Sequence, residues 1–291
     1  MKTVIMKSIG LYLNAMALIN PKKAAKTGLY IFCNPIRPSL NPKQKEFLSS
    51  GKHVTLEHEG TTIQTYKWGQ GATKVLFVHG WQSHTYRWKR YIDSFDKDEY
   101  TVHALDAPGH GMSGGNQLSV PLYSEVISKY VDQLGDVEAL VCHSIGGFSA
   151  LYSFYKKSEL LSPMLILLAP PGEADEFFKF YKKALGLSSR AESLIIEQFE
   201  QTFGHGPDYF SAPYFASSVQ ANGLIIHDED DNETSVHHAK RINANWNNSQ
   251  LQITKGLGHN LKSDVVVNSV IEFISDGKRR TLKTNELINQ A

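Results

Sequence analysis

The sequence predicts an α/β architecture: a mostly parallel central sheet with helices on both faces. Three observations predict it. From residue 53 onward, short strand-like stretches alternate with segments of helical length and period, which implies parallel pairing through right-handed crossovers. The run "KVLFVHG" is continuously apolar, as suits a strand covered on both faces. A chain of 291 residues is long enough to bury one large core.

Taken in order, residues 1–50 read as a basic helical arm and residues 51–291 as the α/β domain. Helices are expected at "VIMKSIGLYLNAMALI", "PKKAAKTGLYIF" and "PKQKEFLSS". At Asn20-Pro21 and Asn41-Pro42 the asparagine can cap a helix whose first position the proline fills. Lys7 and Asn14 interrupt the first apolar run, so it reads as an amphipathic helix of a retained arm rather than a cleaved signal. Lys2, Lys7, Lys22, Lys23, Lys26, Arg37, Lys43 and Lys45 face Glu46 alone, so the arm carries +7 and the remainder −6. Such an arm can pack on the remainder of the chain or rest on an anionic membrane surface.

Beyond the arm, "HVTLEHEG" and "TTIQTYKW" read as a hairpin, followed by the strand "KVLFVHG" and a helix near "YRWKRYIDSF". The pattern continues with strand "YTVHAL", helix "LYSEVISKYVDQL", strand "VEALVCHS", helix "GGFSALYSFYKK" and strand "PMLILLAP". Residues 171–222 interrupt it with a helical, aromatic-rich segment. Strand "GLIIHD", helix "SVHHAKRINANW", strand "QLQITKG" and a helix near "SDVVVNSVIEFI" close the chain.

Composition removes several function classes. A net charge of +1 with 41% hydrophobic residues describes an ordinary soluble domain with no general attraction to nucleic acid. No apolar run approaches the roughly 20 residues a spanning helix needs, so no transmembrane segment is expected. Cys33 and Cys142 are too few for a disulfide framework, which points to a reducing, cytoplasmic setting, with the arm as the one candidate for peripheral membrane contact.

In sheets of this kind ligands sit at the carboxyl ends of the strands. There stand "VHGW", "DAPGHGMS", "CHSIGG", "HDEDD" and "GLGHN". In this order and spacing the set resembles the serine esterase and lipase-like branch of the α/β-hydrolase fold superfamily, over about residues 53–276. The resemblance implies the chain order serine, acid, histidine. It makes Ser144 the nucleophile on a sharp strand-to-helix turn and His259 the base. Asp231 would be the acid that orients His259, with Asp230 as the alternative. The backbone N–H groups of Trp81 and Ile145 would hold the oxyanion, and Trp81 and Gln82 would line the substrate pocket. Two positions depart from the family pattern: Cys142 and Asp228 stand where glycine is usual. His143, His227 and His205 read as packing residues, His237 and His238 as solvated surface, and Asp106 as part of a structural turn.

The resemblance also makes residues 171–222 a cap over the site. Its aromatic residues, Phe178 and Phe210 among them, would contact an apolar acyl group. The expected activity is hydrolysis of carboxylic esters of small to medium apolar acyl groups through an acyl-enzyme, without cofactor or metal. Thioester hydrolysis or acyl transfer uses the same groups, and a ligand-binding homologue with little turnover would share the motifs. The motifs leave the oligomeric state open.

Overall fold

The computed structural model describes residues 2–157 and 162–289. In chain order the helices α1 (Lys2–Ile19), α2 (Pro21–Phe32) and α3 (Pro42–Ser49) precede strands β1 (Lys52–His58), β2 (Thr61–Trp68) and β3 (Thr73–Val78). Next come α4 (Lys89–Ser94), β4 (Tyr100–Leu105), α5 (Val120–Leu134), β5 (Ala139–His143), α6 (Ile145–Lys156) and β6 (Met164–Leu168). Helices α7 (Ala174–Leu185), α8 (Ser189–Phe203) and α9 (Ala212–Ala216) lead to β7 (Asn222–Asp228), α10 (Val236–Asn245), β8 (Ser249–Thr254) and α11 (Asp264–Asn289).

The chain divides into two compact units. The larger, Ile36–Asn116, Val120–Gly172 and Ala212–Ala291, contains one eight-stranded sheet in the order β1-β2-β4-β3-β5-β6-β7-β8. The β1–β2 and β2–β4 pairs are antiparallel and every other pair is parallel. Strands β4, β5 and β6 are buried along their whole length, and β6 accordingly runs apolar without alternation, while β4 also buries the polar Thr101 and His103. One cluster, with Phe77, Val141, Ile166 and Ile226 from the sheet, Trp88 and Tyr91, and Val266, Val270 and Ile274 from α11, fills one side of it. The chain leaves β3 toward β4 on one side and returns to place β5 on the other, so the order reverses at β3 and opens a crevice at the carboxyl ends of β3 and β5.

The smaller unit joins Met1–Pro35, Gln117–Ser119 and Glu173–Ser211. Asn20 caps α2 through Lys23 N–H at 3.0 Å, and within the unit α1 and α2 pack against α7 and α8. Two glycines permit this approach: a Cβ on Gly10 would fall 1.9 Å from the Leu185 carbonyl oxygen, and one on Gly28 2.4 Å from Ile195 Cδ1. Asn14 donates to the Gly186 carbonyl at 2.9 Å and accepts from Ser188 N–H at 2.8 Å, while Arg190 donates to the Ala17 carbonyl at 2.9 Å. Phe32 stacks on Phe178 at 4.3 Å, Phe178 meets the edge of Phe199 at 5.2 Å, and Phe199 meets Phe210 at 5.5 Å.

These limits differ from those read in the sequence. Residues 36–50, with the capping box of Asn41 and Gln44 on α3, and residues 212–222 group with the larger unit. The reason for the latter is α9, whose Phe215 packs against Tyr152 at 5.0 Å and Tyr155 at 4.9 Å on α6.

Candidate active site

Four junctions at strand ends bring the site together. Strand β5 ends at His143, and Ser144 turns the chain into α6 with φ 52° and ψ −127°, a conformation non-glycine residues seldom adopt. The turn is held by Ser144 N–H donating to the Leu168 carbonyl at 2.9 Å and by Gly147 N–H donating to the Ser144 carbonyl at 2.8 Å. Its neighbours must be small. A Cβ on Gly146 would lie 2.6 Å from the His79 carbonyl oxygen, and one on Gly80 2.9 Å from Ser144 Cβ. Cys142 fits where glycine is usual because it continues β5 in register with Val78 and Leu167, with its side chain fully buried.

His259, after β8, reaches both partners expected of it. Its Nε2 lies 3.0 Å from Ser144 Oγ, and its Nδ1 lies 2.8 Å from Asp231 Oδ2. The carboxylate on the imidazole is therefore that of Asp231. Asp230 is exposed and instead accepts from Gly256 N–H at 3.2 Å.

Asp231 is buried and densely solvated by the protein. Glu233 and Thr234 N–H groups donate to Oδ1 at 2.8 and 3.0 Å, and the Thr234 hydroxyl donates to Oδ2 at 2.9 Å. His227 Nε2 lies 3.2 Å from Oδ2 and 3.0 Å from the Thr234 carbonyl; both are acceptors, so this nitrogen carries the proton. Burial alone would raise the carboxyl's pKa, but the donors His227, His259, Thr234 and Glu233 outweigh it and hold the group well below the usual carboxylate range. Asp228, the other departure from the family pattern, is also buried. Burial opposes its charge too, yet donors at Leu257 and Thr254 (3.0 and 2.7 Å) lower its pKa. It pins the turn that leads to His259.

The loops after β3 and β4 brace each other through two neutral histidines. His79 Nε2 accepts from Ala107 N–H at 2.9 Å, so its Nδ1 donates to the Gly80 carbonyl at 2.7 Å. His110 Nε2 accepts from Gln82 N–H at 2.9 Å, and its Nδ1 donates to the Pro108 carbonyl at 2.9 Å. Burial keeps both below the ordinary histidine range. Asp106 accepts from Thr85 N–H at 2.8 Å, Tyr66 hydroxyl at 3.0 Å and Met112 N–H at 2.8 Å, the structural turn the sequence indicates. The frame leaves Trp81 half-buried and Gln82 exposed. The N–H groups of Trp81 and Ile145 have no protein acceptor among the described residues.

Some sequence-derived roles fall elsewhere. Phe178 and Phe210 are 2% and 1% exposed, and their rings pack on Phe32 and Phe199 inside the smaller unit. His143 and His227 do more than pack: His143 Nε2 donates to the His259 carbonyl at 2.8 Å, and its ring stands 4.8 Å from that of His259. The available signals were a histidine directly before the serine and another four residues before Asp231. His238 is buried and His237 exposed, and His205 stacks on Tyr209 at 3.7 Å. Among the described residues, His58, Glu59 and Glu125 form the one group with metal-ligand spacing; it lies at the β1–β2 turn and α5, and a 3.3 Å His58–Glu125 contact accounts for it.

A serine presented on a strained turn at the order reversal of a mostly parallel sheet defines the α/β-hydrolase class of fold. Residues 75–266 match the sequence profile of the alpha/beta hydrolase family, and the chain belongs to that family. Among curated proteins it is 36% identical over 93 residues to the dihydrolipoyllysine-residue acetyltransferase component of the acetoin cleaving system of Cupriavidus necator. It is 26% identical over 113 residues to an esterase of Mycobacterium tuberculosis. These matches cover 31% and 38% of this chain but only 24% and 37% of the relatives. A solved Butyrivibrio proteoclasticus structure with ferulic acid bound superposes with a TM-score of 0.62 at 17% identity, over 78% of this chain and 99% of that one. No described helix is long and apolar enough to cross a membrane.

Proposed function

We propose that this chain is a serine hydrolase that cleaves carboxylic esters of small to medium apolar acyl groups. The observation that carries the reading is the line from Ser144 Oγ through the His259 imidazole to Asp231, with contacts of 3.0 and 2.8 Å. In the first step Ser144 Oγ bonds to the ester carbonyl carbon while its proton passes to His259 Nε2. The carbonyl oxygen takes the negative charge and accepts from Trp81 and Ile145 N–H, which have no other acceptor among the described residues. Collapse expels the alcohol, which receives the proton from His259. Water then attacks the acyl-serine with His259 as base and releases the acid. Asp231 remains ionised throughout and stabilises the imidazolium.

The acyl-enzyme could also discharge to another nucleophile, and similarity to an acetyltransferase component favours acyl transfer as the second reading. The test is a fluorophosphonate probe followed by nitrophenyl esters of increasing chain length. Wild type is expected to label and Ser144→Ala not to, with ester turnover reduced by about 10⁴-fold or more. Retained turnover in Ser144→Ala would refute the proposal. Faster release to an added thiol or alcohol than to water would select acyl transfer.

A further inference from the structure

Helix α1 uses only one of its sides within the fold. Leu13 and Ala17 are fully buried and Asn14 is bonded to Gly186 and Ser188. The opposite side is apolar and exposed. Val4, Leu11 and Leu18, spaced seven apart, form one stripe at 69, 71 and 73% exposure, and Ile5, Tyr12 and Ile19 form the adjacent one. The positions between the stripes, Ser8 and Ala15, are small. One residue, Asn20, separates this helix from α2, whose exposed side carries Lys22, Lys23, Lys26 and Tyr30. None of the three lysines makes an ion pair among the described residues. Helices α1 and α2 meet residues 173–211 through apolar side chains and hydrogen bonds to backbone groups, among them Lys7 Nζ donating to the Lys183 carbonyl at 2.9 Å, and leave the three α2 lysines without a carboxylate partner among the described residues.

We propose that α1 lies in the plane of an anionic membrane surface. Its Val4, Leu11, Leu18 and Ile5, Tyr12, Ile19 stripes contact the acyl chains, and the α2 lysines contact the headgroups. A broad apolar face with cationic charge beside it is the composition of interfacial helices. Insertion across the bilayer would strip Asn14 of both its partners and expose Leu13 and Ala17, so the helix lies flat. A second copy is the less complementary occupant. Neither α1 nor α2 contains an acid, the first in the chain being Glu46, so self-pairing of this hairpin would set lysines against lysines.

The experiment uses the full chain with sucrose-loaded vesicles of phosphatidylcholine containing about a third phosphatidylglycerol, an anionic fraction large enough to set a negative surface potential. Wild type is expected to pellet with these vesicles at low salt, and to remain in solution with pure phosphatidylcholine or at high salt. Lys22→Gln, Lys23→Gln and Lys26→Gln should each weaken the partition constant about fivefold. The Leu11→Glu/Leu18→Glu pair should weaken it by about two orders of magnitude or more. Both side chains are exposed, so the melting temperature should stay within a few degrees of wild type. Tyr12→Trp should shift its emission to the blue on anionic vesicles. Three results would each overturn the proposal: wild type remaining in the supernatant at low salt, the leucine pair variant pelleting as wild type does, or a lipid-free dimer abolished by that variant.

Discussion

In the larger unit, β5 and β6 bury every residue, and the groups Ser144, His259 and Asp231 that follow strands are joined by hydrogen bonds. In the smaller unit, α1 leaves four apolar side chains, Val4, Leu11, Leu18 and Ile19, more than two-thirds exposed. The difference is one of surface to volume. A sheet covered by helices on both faces has an interior large enough to hide whole strands, and the rigidity of that interior fixes groups at the strand ends. A few packed helices bury one side of each, and the other side must meet water or something else. Substitutions at the strand ends should therefore change turnover and leave stability alone, whereas those in the smaller unit should change stability or surface binding.

The sharpest way to break this comparison is at the acid. Asp231→Asn removes the carboxylate from His259 and is expected to lower kcat by about 10⁴-fold with an unchanged fold, whereas Asp230→Asn should stay within a few-fold of wild type. Equal losses in steady-state kinetics would contradict the geometry. In the smaller unit the expectation inverts. Phe178→Ala opens a cavity between Phe32 and Phe199 and should cost about 3–5 kcal/mol in denaturant unfolding, with little change in acyl-chain preference. A selective rise in KM for long esters would instead return Phe178 to the substrate pocket.

Protonation gives a smaller effect. Burial, aided by Lys67 and Lys74, lowers the His103 pKa from 6.5 to about 4. The unfolded chain then binds the extra proton first, so the stability this neutral histidine contributes is complete above about pH 6.5 and is lost as pH falls toward 4. Between pH 7 and 5 the loss is about 2 kcal/mol from this residue, and His103→Gln should flatten that part of the unfolding profile. A profile unchanged by the substitution would place the acid sensitivity elsewhere. The mildest expected effect is at His143. His143→Leu leaves the His259 carbonyl without its donor and should lower kcat about tenfold, while His143→Gln, which can still donate, should recover most of it. Equal activity in both would make His143 a packing residue after all.

Much of this was legible in the chain. The Asn-Pro pairs announce the starts of α2 and α3, and the apolar runs announce the buried strands, because capping and burial act locally on composition. The resemblance carried by the motifs after the strands named Ser144, His259 and Asp231, with Asp230 as the alternative acid. His143 and His227 could not be assigned their bonds. The carbonyl His143 reaches is 116 residues away, and His227 acts on a carboxylate whose position depends on the turn between them. Phe178 and Phe210 were misplaced because aromatic composition reports that rings will be buried, not against what.

The sequence by itself determined the order of strands and helices, the strained serine turn demanded by its small neighbours, and the basic, acid-free character of α1 and α2. All of these are written in residues close together along the chain. Only the tertiary structure decided that Asp231 rather than Asp230 meets His259, that His143 holds the loop carrying it, and that α1 packs with residues 173–211 through Leu13, Asn14 and Ala17. Those outcomes depend on which surfaces come together when distant segments exclude water. The buried side of α1, and with it the side left facing outward, follows the close approach of Gly10 to Leu185 and the Asn14 bonds to Gly186 and Ser188, and not the pattern of the helix alone.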